Sequence, residues 1–352
     1  MTAPARRPLF VTDCEGPLTR NDNAAELAAT YIPNGAAFFA RLSKYDDYLV
    51  DVARKPGYNA GTTLGLMAPF FRAFGLDDAT VETFSRDTLM VVPGADGLIA
   101  AVEKLMPVHV ISTSYTPYVR AMADALDVPV GRCHSTELSL DAWDLPPDEA
   151  VWLRDWAVRI GEQGLIELPA GARSLTDLSS QDQQTVRELD TFFGNELAHT
   201  APMAAAMVAS VTPVGGNAKL ETLQQIVADC PTGADVMYVG DSITDAPPLS
   251  AVRDWAGLAV SFNGNRYALE AGEIAVASLD TAPTLELARA FAAGGAGAAR
   301  ELARAWPAPA PAADGASGLP VVGVIADDPE ALAAASRAAR ASVRGRHIAR
   351  LG

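Results

Sequence analysis

The stretch "LFVTDCEGPLT", Leu9 to Thr19, opens on apolar residues, reaches two carboxylates, Asp13 and Glu15, and then breaks at Gly16-Pro17. A short apolar run bounded by turn signals reads as a buried strand. The ends of strands in α/β sheets are where ligands usually bind. Two acids spaced i, i+2 on an extended segment point the same way. They repel each other unless a cation or a proton separates them.

Similar runs recur along the chain: "PVHVIST" (107–113), "VMYVGD" (236–241), "GLAVSF" (257–262) and "EIAVAS" (273–278). Segments of helical period lie between them, such as "NAAELAATYI" and "TLGLMAPFFRAFG". Continuous apolar strands alternating with helices predict an α/β fold with a doubly wound parallel sheet, covered on both faces. Two gaps are far longer than a βαβ crossover needs. Residues 20–90 are therefore expected to form a helical cap, and residues 137–213 a second helical insertion. The core then comprises 1–19, 91–136 and 214–290, with a third-strand region near Val128–Cys133. From 291 to 352 the pattern reads as a C-terminal helix, a Pro/Ala linker at 307–320, then the strand "VVGVIAD" and the helix "PEALAAASRAARASVRG".

Composition limits the partners. The 352 residues are 49% hydrophobic, enough to fill a core, and the length suggests about two units. Net charge is −16, from 43 acids against 27 bases, which disfavours nucleic-acid phosphates and anionic membrane surfaces. An anionic substrate therefore needs local bases or a metal. The three cysteines, Cys14, Cys133 and Cys230, are too few and scattered for a disulfide framework or a zinc site, and a reducing cytoplasm is the simple expectation. There is no apolar run of signal-peptide or membrane-spanning length.

The other strand ends carry chemistry too. "YVGDSITDAPPL" (238–249) brings Asp241 and Asp245 to the end of an apolar run. Two such pairs of carboxylates make an oxygen-rich site suited to a hard divalent cation such as Mg²⁺. "VISTSYT" ends in the hydroxyls Ser112, Thr113 and Ser114, and "GGNAKLETL" (215–223) sets Lys219 at the start of a helix, where it can meet a phosphate as a point charge. Each piece also has a structural reading. The acids and Ser112 could cap helices, and Lys219 could be an ordinary exposed lysine.

The order of parts resembles the haloacid dehalogenase (HAD) superfamily and its phosphoserine-phosphatase-like branch. "DCEGPLT", "VIST", "NAK" and "VGDSITD" look like the four motifs of that family, and "VPGADGLIAAVEKL" and "AGLAVSFNGNRYAL" are similar to their surroundings. The resemblance implies a HAD-like Rossmannoid core and Mg²⁺-dependent hydrolysis of a small-molecule phosphate ester through an aspartyl-phosphate. In that scheme Asp13 is the nucleophile and Glu15 the acid and base. Ser112, Thr113 and Lys219 hold the phosphoryl group, and Asp13, the Glu15 carbonyl, Asp241 and Asp245 hold the metal. Asp22, Arg54 and Thr244 are candidates for substrate contact, although "RNDNAAEL" reads equally as a helix cap around Asp22, and a solvated surface is the readier reading of Arg54.

The chain departs from the family pattern in two places. Glu15 stands where Asp is usual, and Ser242 and Thr244 replace the Gly and Asn of phosphoserine phosphatases. A phosphotransferase with the same intermediate is therefore an alternative. "DCEGPLTRNDNAAELA" and "SVRGRHIARLG" also resemble archaeal proteins described as subunit R of energy-converting hydrogenase A, which adds an accessory or assembly role. Elsewhere, Cys14 should be buried, His109 should pack inside its strand, and Trp143, Trp152 and Trp156 should pack the second insertion.

Overall fold

The computed structural model describes residues 8–169, 171–228, 233–308 and 319–348. Cys230 and most of the Pro/Ala linker lie outside the described residues. Seven strands form one sheet: β1 (Leu9–Thr12), β2 (Val108–Tyr115), β3 (Cys133–Thr136), β4 (Val236–Gly240), β5 (Leu258–Phe262), β6 (Ile274–Ala277) and β7 (Val321–Val324). Their order is β3-β2-β1-β4-β5-β6-β7, and every neighbouring pair is parallel except β6 with β7. The order reverses between β1 and β4, so a crevice opens beyond their carboxyl ends.

Side chains alternate across the strands, as a sheet packed on both faces requires. Phe10, Val110, Met237, Val239 and Val260 join the core on one face, with Leu98, Val119 and Leu287 from helices. Leu9, Val11, Ile111, Tyr238 and Ala259 face the other, with Leu223 and Leu249. The third strand begins later than the apolar pattern suggests. Pro129 cannot donate to a ladder, and the tight turn Val130–Arg132 postpones pairing to Cys133.

Residues of both insertions share a single hydrophobic core. Phe38, Phe70 and Met67 from the first pack in one cluster with Leu153, Val186 and Phe192 from the second. Phe192 stacks on Trp152 and lies against Trp156 with ring centroids 4.5 Å apart. Tyr115, at the end of β2, enters the same cluster and donates to the Leu64 carbonyl at 2.6 Å.

The tail belongs to the core. The helical stretch Ala282–Arg304 continues past position 291, kinks at Gly295 where φ is +74°, and buries Phe291, Ala299 and Ala303 against the sheet. β7 then adds the antiparallel edge, and the last helix, Pro329–Ile348, packs on β6 and β7. Among the described residues, no helix is long and apolar enough to cross a membrane.

Candidate active site

Asp13 and Asp241 are the first residues after β1 and β4, the strands flanking the crevice. The Asp13 amide donates to the Val239 carbonyl at 2.9 Å, which fixes one strand end against the other. Lys219 arrives from the helix Asn217–Val227 and is fully buried. Its Nζ lies 2.6 Å from Asp13 Oδ2 and 2.7 Å from Asp245 Oδ1. Gly215, in the turn before that helix, lets the chain at Ala60 come close. A Cβ there would sit 2.2 Å from the Ala60 carbonyl oxygen, where the first insertion closes over the turn.

Asp245 is held firmly. Its Oδ2 accepts from the amides of Asp241 and Ser242 at 3.0 and 3.2 Å, and its Oδ1 accepts from Tyr238 at 2.8 Å. Burial would raise its carboxyl, but Lys219 and these donors outweigh it and hold the group below its usual range. Asp13 has fewer donors, with its Oδ1 accepting from the Cys14 amide at 2.6 Å. Burial, then the charge of Asp245, push it up to about 8 against the pull of Lys219. Burial opposes the charge on Lys219, yet the two carboxylates prevail and its pKa is raised.

Glu15 stands one step further on, its Oε1 accepting from the Asn23 amide at 2.7 Å. Burial and then Asp22 raise its carboxyl well above the usual range, opposed by Arg344. Gly16 has a φ of +103°, a left-handed conformation, and presses against Asp241. An added Cβ would lie 2.4 Å from Asp241 Oδ2.

A cavity of about 120 Å³ opens above these groups. Asp13, Glu15 and Asp241 line its floor, and Ser112, Thr113 and Thr244 its wall. Ser112 Oγ accepts from the Ser114 amide at 3.1 Å, while Thr113 Oγ1 is buried with no partner among the described residues. Asp22 does two jobs, capping the helix Asn23–Tyr31 by accepting from the Ala25 amide and lining the cavity. Lys219 and Asp245 lie behind the floor. Arg54 is not brought in. It is exposed at a left-handed turn with φ +48°, beyond the helix Gly35–Asp47, and its Nε donates to the Asp51 carbonyl at 3.5 Å.

Four further charged residues line the cavity that the motifs did not indicate. Asp46 and Asp47 come from the first insertion. Arg340 and Arg344 come from the helix Pro329–Ile348, and both donate to Asp241 Oδ2, Arg344 at 3.1 Å. Their only sequence signal is the i, i+4 spacing on an Ala-rich helix in an acidic chain.

The carboxylates of Asp13, Asp241 and Asp245 offer ligand oxygens within 4.8 Å of one another, all buried. This donor set fits a hard divalent cation. Each of the three also pairs with a cation of the chain, Lys219 or the two arginines.

No protein-family model matches the chain, and no curated protein matches it. Among solved structures, the gene product AF1437 from Archaeoglobus fulgidus is similar over 98% of this chain and 99% of its own, with 28% identity and a TM-score of 0.82. A substrate-bound phosphoserine phosphatase complex aligns over 80% of this chain and 97% of its own at 15% identity, TM-score 0.46. A phospho-aspartyl intermediate analogue of phosphoserine phosphatase aligns over 80% and 98% at 14% identity, TM-score 0.47. Likeness at that level carries no weight for the chemistry of this chain. Nothing in these comparisons supports the resemblance to a hydrogenase subunit. The α/β fold with its predominantly parallel sheet is shared with a structural relative that aligns over 99% of its own chain.

Proposed function

We propose that the chain is a phosphomonoester hydrolase of the HAD type, acting on a small-molecule phosphate through an aspartyl-phosphate at Asp13. One observation carries this reading. Lys219 bridges Asp13 and Asp245 in a fully buried contact, with Asp241 completing an oxygen cluster at the β1/β4 switch point. Buried acids in such number persist only where cations answer them. The four motif-like segments converge on this one place.

The chain's own groups divide the work. Asp13 attacks phosphorus as its carboxylate, the form that Lys219 favours against burial and that a bound divalent cation would favour further, and an O–P bond forms as the ester P–O bond breaks. Glu15, whose burial favours its protonated form, gives its proton to the leaving alkoxide. The resulting Glu15 carboxylate then takes a proton from water, which attacks the same phosphorus and releases inorganic phosphate and free Asp13. Ser112 and Thr113 orient the phosphoryl oxygens, and Lys219 balances the charge on Asp13 and Asp245. Asp13, the Glu15 carbonyl, Asp241 and Asp245 would hold Mg²⁺, which supplies charge neutralisation between nucleophile and phosphate.

The deciding experiment is a screen of phosphorylated metabolites with Mg²⁺ and with EDTA. Phosphate release that needs the metal is the expected result. No release from any monoester in either condition would overturn the reading. Glu15, in place of the shorter acid, makes an alcohol acceptor worth testing beside water, and phosphorylated alcohol as product would assign a phosphotransferase.

A further inference from the structure

We propose that Arg340 and Arg344 form an oxyanion-binding pair that the C-terminal helix adds to the site. This rests on the phosphatase reading only in taking the oxyanion as part of a phosphate ester. The two side chains are 5% and 7% exposed, although each bears a full charge. At i, i+4 they share one helix face, where like charges disfavour the helix unless an anion stands before them. Asp241 Oδ2 is one such anion and accepts from both. Glu15 and Asp22 answer part of the charge on Arg344 through space.

These partners do not use up the donors. Arg340 engages Asp241 and the Asn263 carbonyl through Nη1 alone, and Arg344 engages Asp241 and the Asn21 carbonyl through Nη1 and Nη2. Nε of each is buried with no partner among the described residues. A buried donor without an acceptor is costly, and a guanidinium fork matches phosphate or carboxylate in shape. Both arginines line the cavity with Asp13, Ser112 and Thr113. Lys219 cannot do this alone, because two of its three donors are already spent on Asp13 and Asp245.

The oxyanion is either the phosphoryl group itself or a second acidic group on the substrate. Calorimetric titration of the full chain with inorganic phosphate and with phosphonoacetate, in Mg²⁺, separates them. Wild type is expected to bind. If the pair holds the phosphoryl group, Arg344→Ala weakens both ligands by at least about 10-fold. If it holds a second acid, phosphate affinity stays and the advantage of phosphonoacetate over phosphate is lost. Should Arg344→Ala fail to fold, Arg344→Lys is read instead, with the same pattern at smaller size. Unchanged affinity for both ligands in a folded variant, or no binding by wild type, overturns the proposal. Turnover with unchanged anion binding in the variant would sink the pair and spare the phosphatase. Arginine-dependent binding without turnover by wild type would do the reverse.

Discussion

Asp13 and Lys219, 206 positions apart in the chain, meet in a buried ion pair with Nζ 2.6 Å from Oδ2. Lys219 pairs with Asp245 as well, so one cation stands between two buried acids. Lys219→Met should leave both carboxylates uncompensated and cost about 3–5 kcal/mol of stability. Urea unfolding measures this, and a loss below about 1 kcal/mol would mean that the pair holds little of the fold together. Lys219→Arg should not restore the wild-type value, because a planar guanidinium is bulkier and the site has no exposed space.

Asp46 gives a stability signature in pH. Burial, then the neighbouring Asp47, raise its carboxyl from 3.8 to about 7, while its Oδ2 accepts from the Gly61 amide at 2.8 Å. Between those two values the folded chain keeps a proton that the unfolded chain has released. Its contribution to stability is therefore full below 3.8, falls as pH rises through the window, and levels off above about 7. Asp46→Asn should flatten that slope, with a difference on the order of 4 kcal/mol between the ends. Denaturant midpoints of the two proteins from pH 4 to pH 8 (roughly the span of the shift) decide it. Parallel curves would contradict the prediction.

Gly16 tests the packing under Asp241. Gly16→Ala puts a Cβ 2.4 Å from Asp241 Oδ2 and imposes a φ of +103° on a residue that resists it. We expect a loss above about 1 kcal/mol together with weaker divalent-cation binding. Tight cation binding in a folded Gly16→Ala protein would show that Asp241 is free to move.

Asp241→Asn should weaken Mn²⁺ binding, followed by paramagnetic relaxation, by more than about 100-fold. It also strips Arg340 and Arg344 of their shared partner. Equal affinity in mutant and wild type would remove Asp241 from the metal set.

The sheet was legible because its strands are continuous apolar runs, each stopped by acids, hydroxyls or glycine. The convergence of Asp13, Lys219 and Asp245 followed from placing those stops at one rim. Arg340 and Arg344 were not legible. Helical period says which residues share a face, and nothing in it says where a helix following a Pro/Ala linker will dock. The union of the two insertions was hidden for the same reason, since Phe192 and Phe70 meet only in three dimensions. Arg54 offered a charge near the cap, but a solvated surface was its readier reading, and the left-handed turn there leaves it in solvent.

Covalent trapping at Asp13 tests the central claim most directly. The protein is mixed with a substrate found in the metabolite screen, quenched in acid during turnover and reduced with borohydride, which converts an aspartyl-phosphate to homoserine. The account predicts homoserine at position 13 of the wild type, and none in Asp13→Asn, whose turnover should fall by about 10⁴-fold or more. Turnover with the modification at another residue, or with no modification under quench conditions that capture an acyl-phosphate standard, would contradict it.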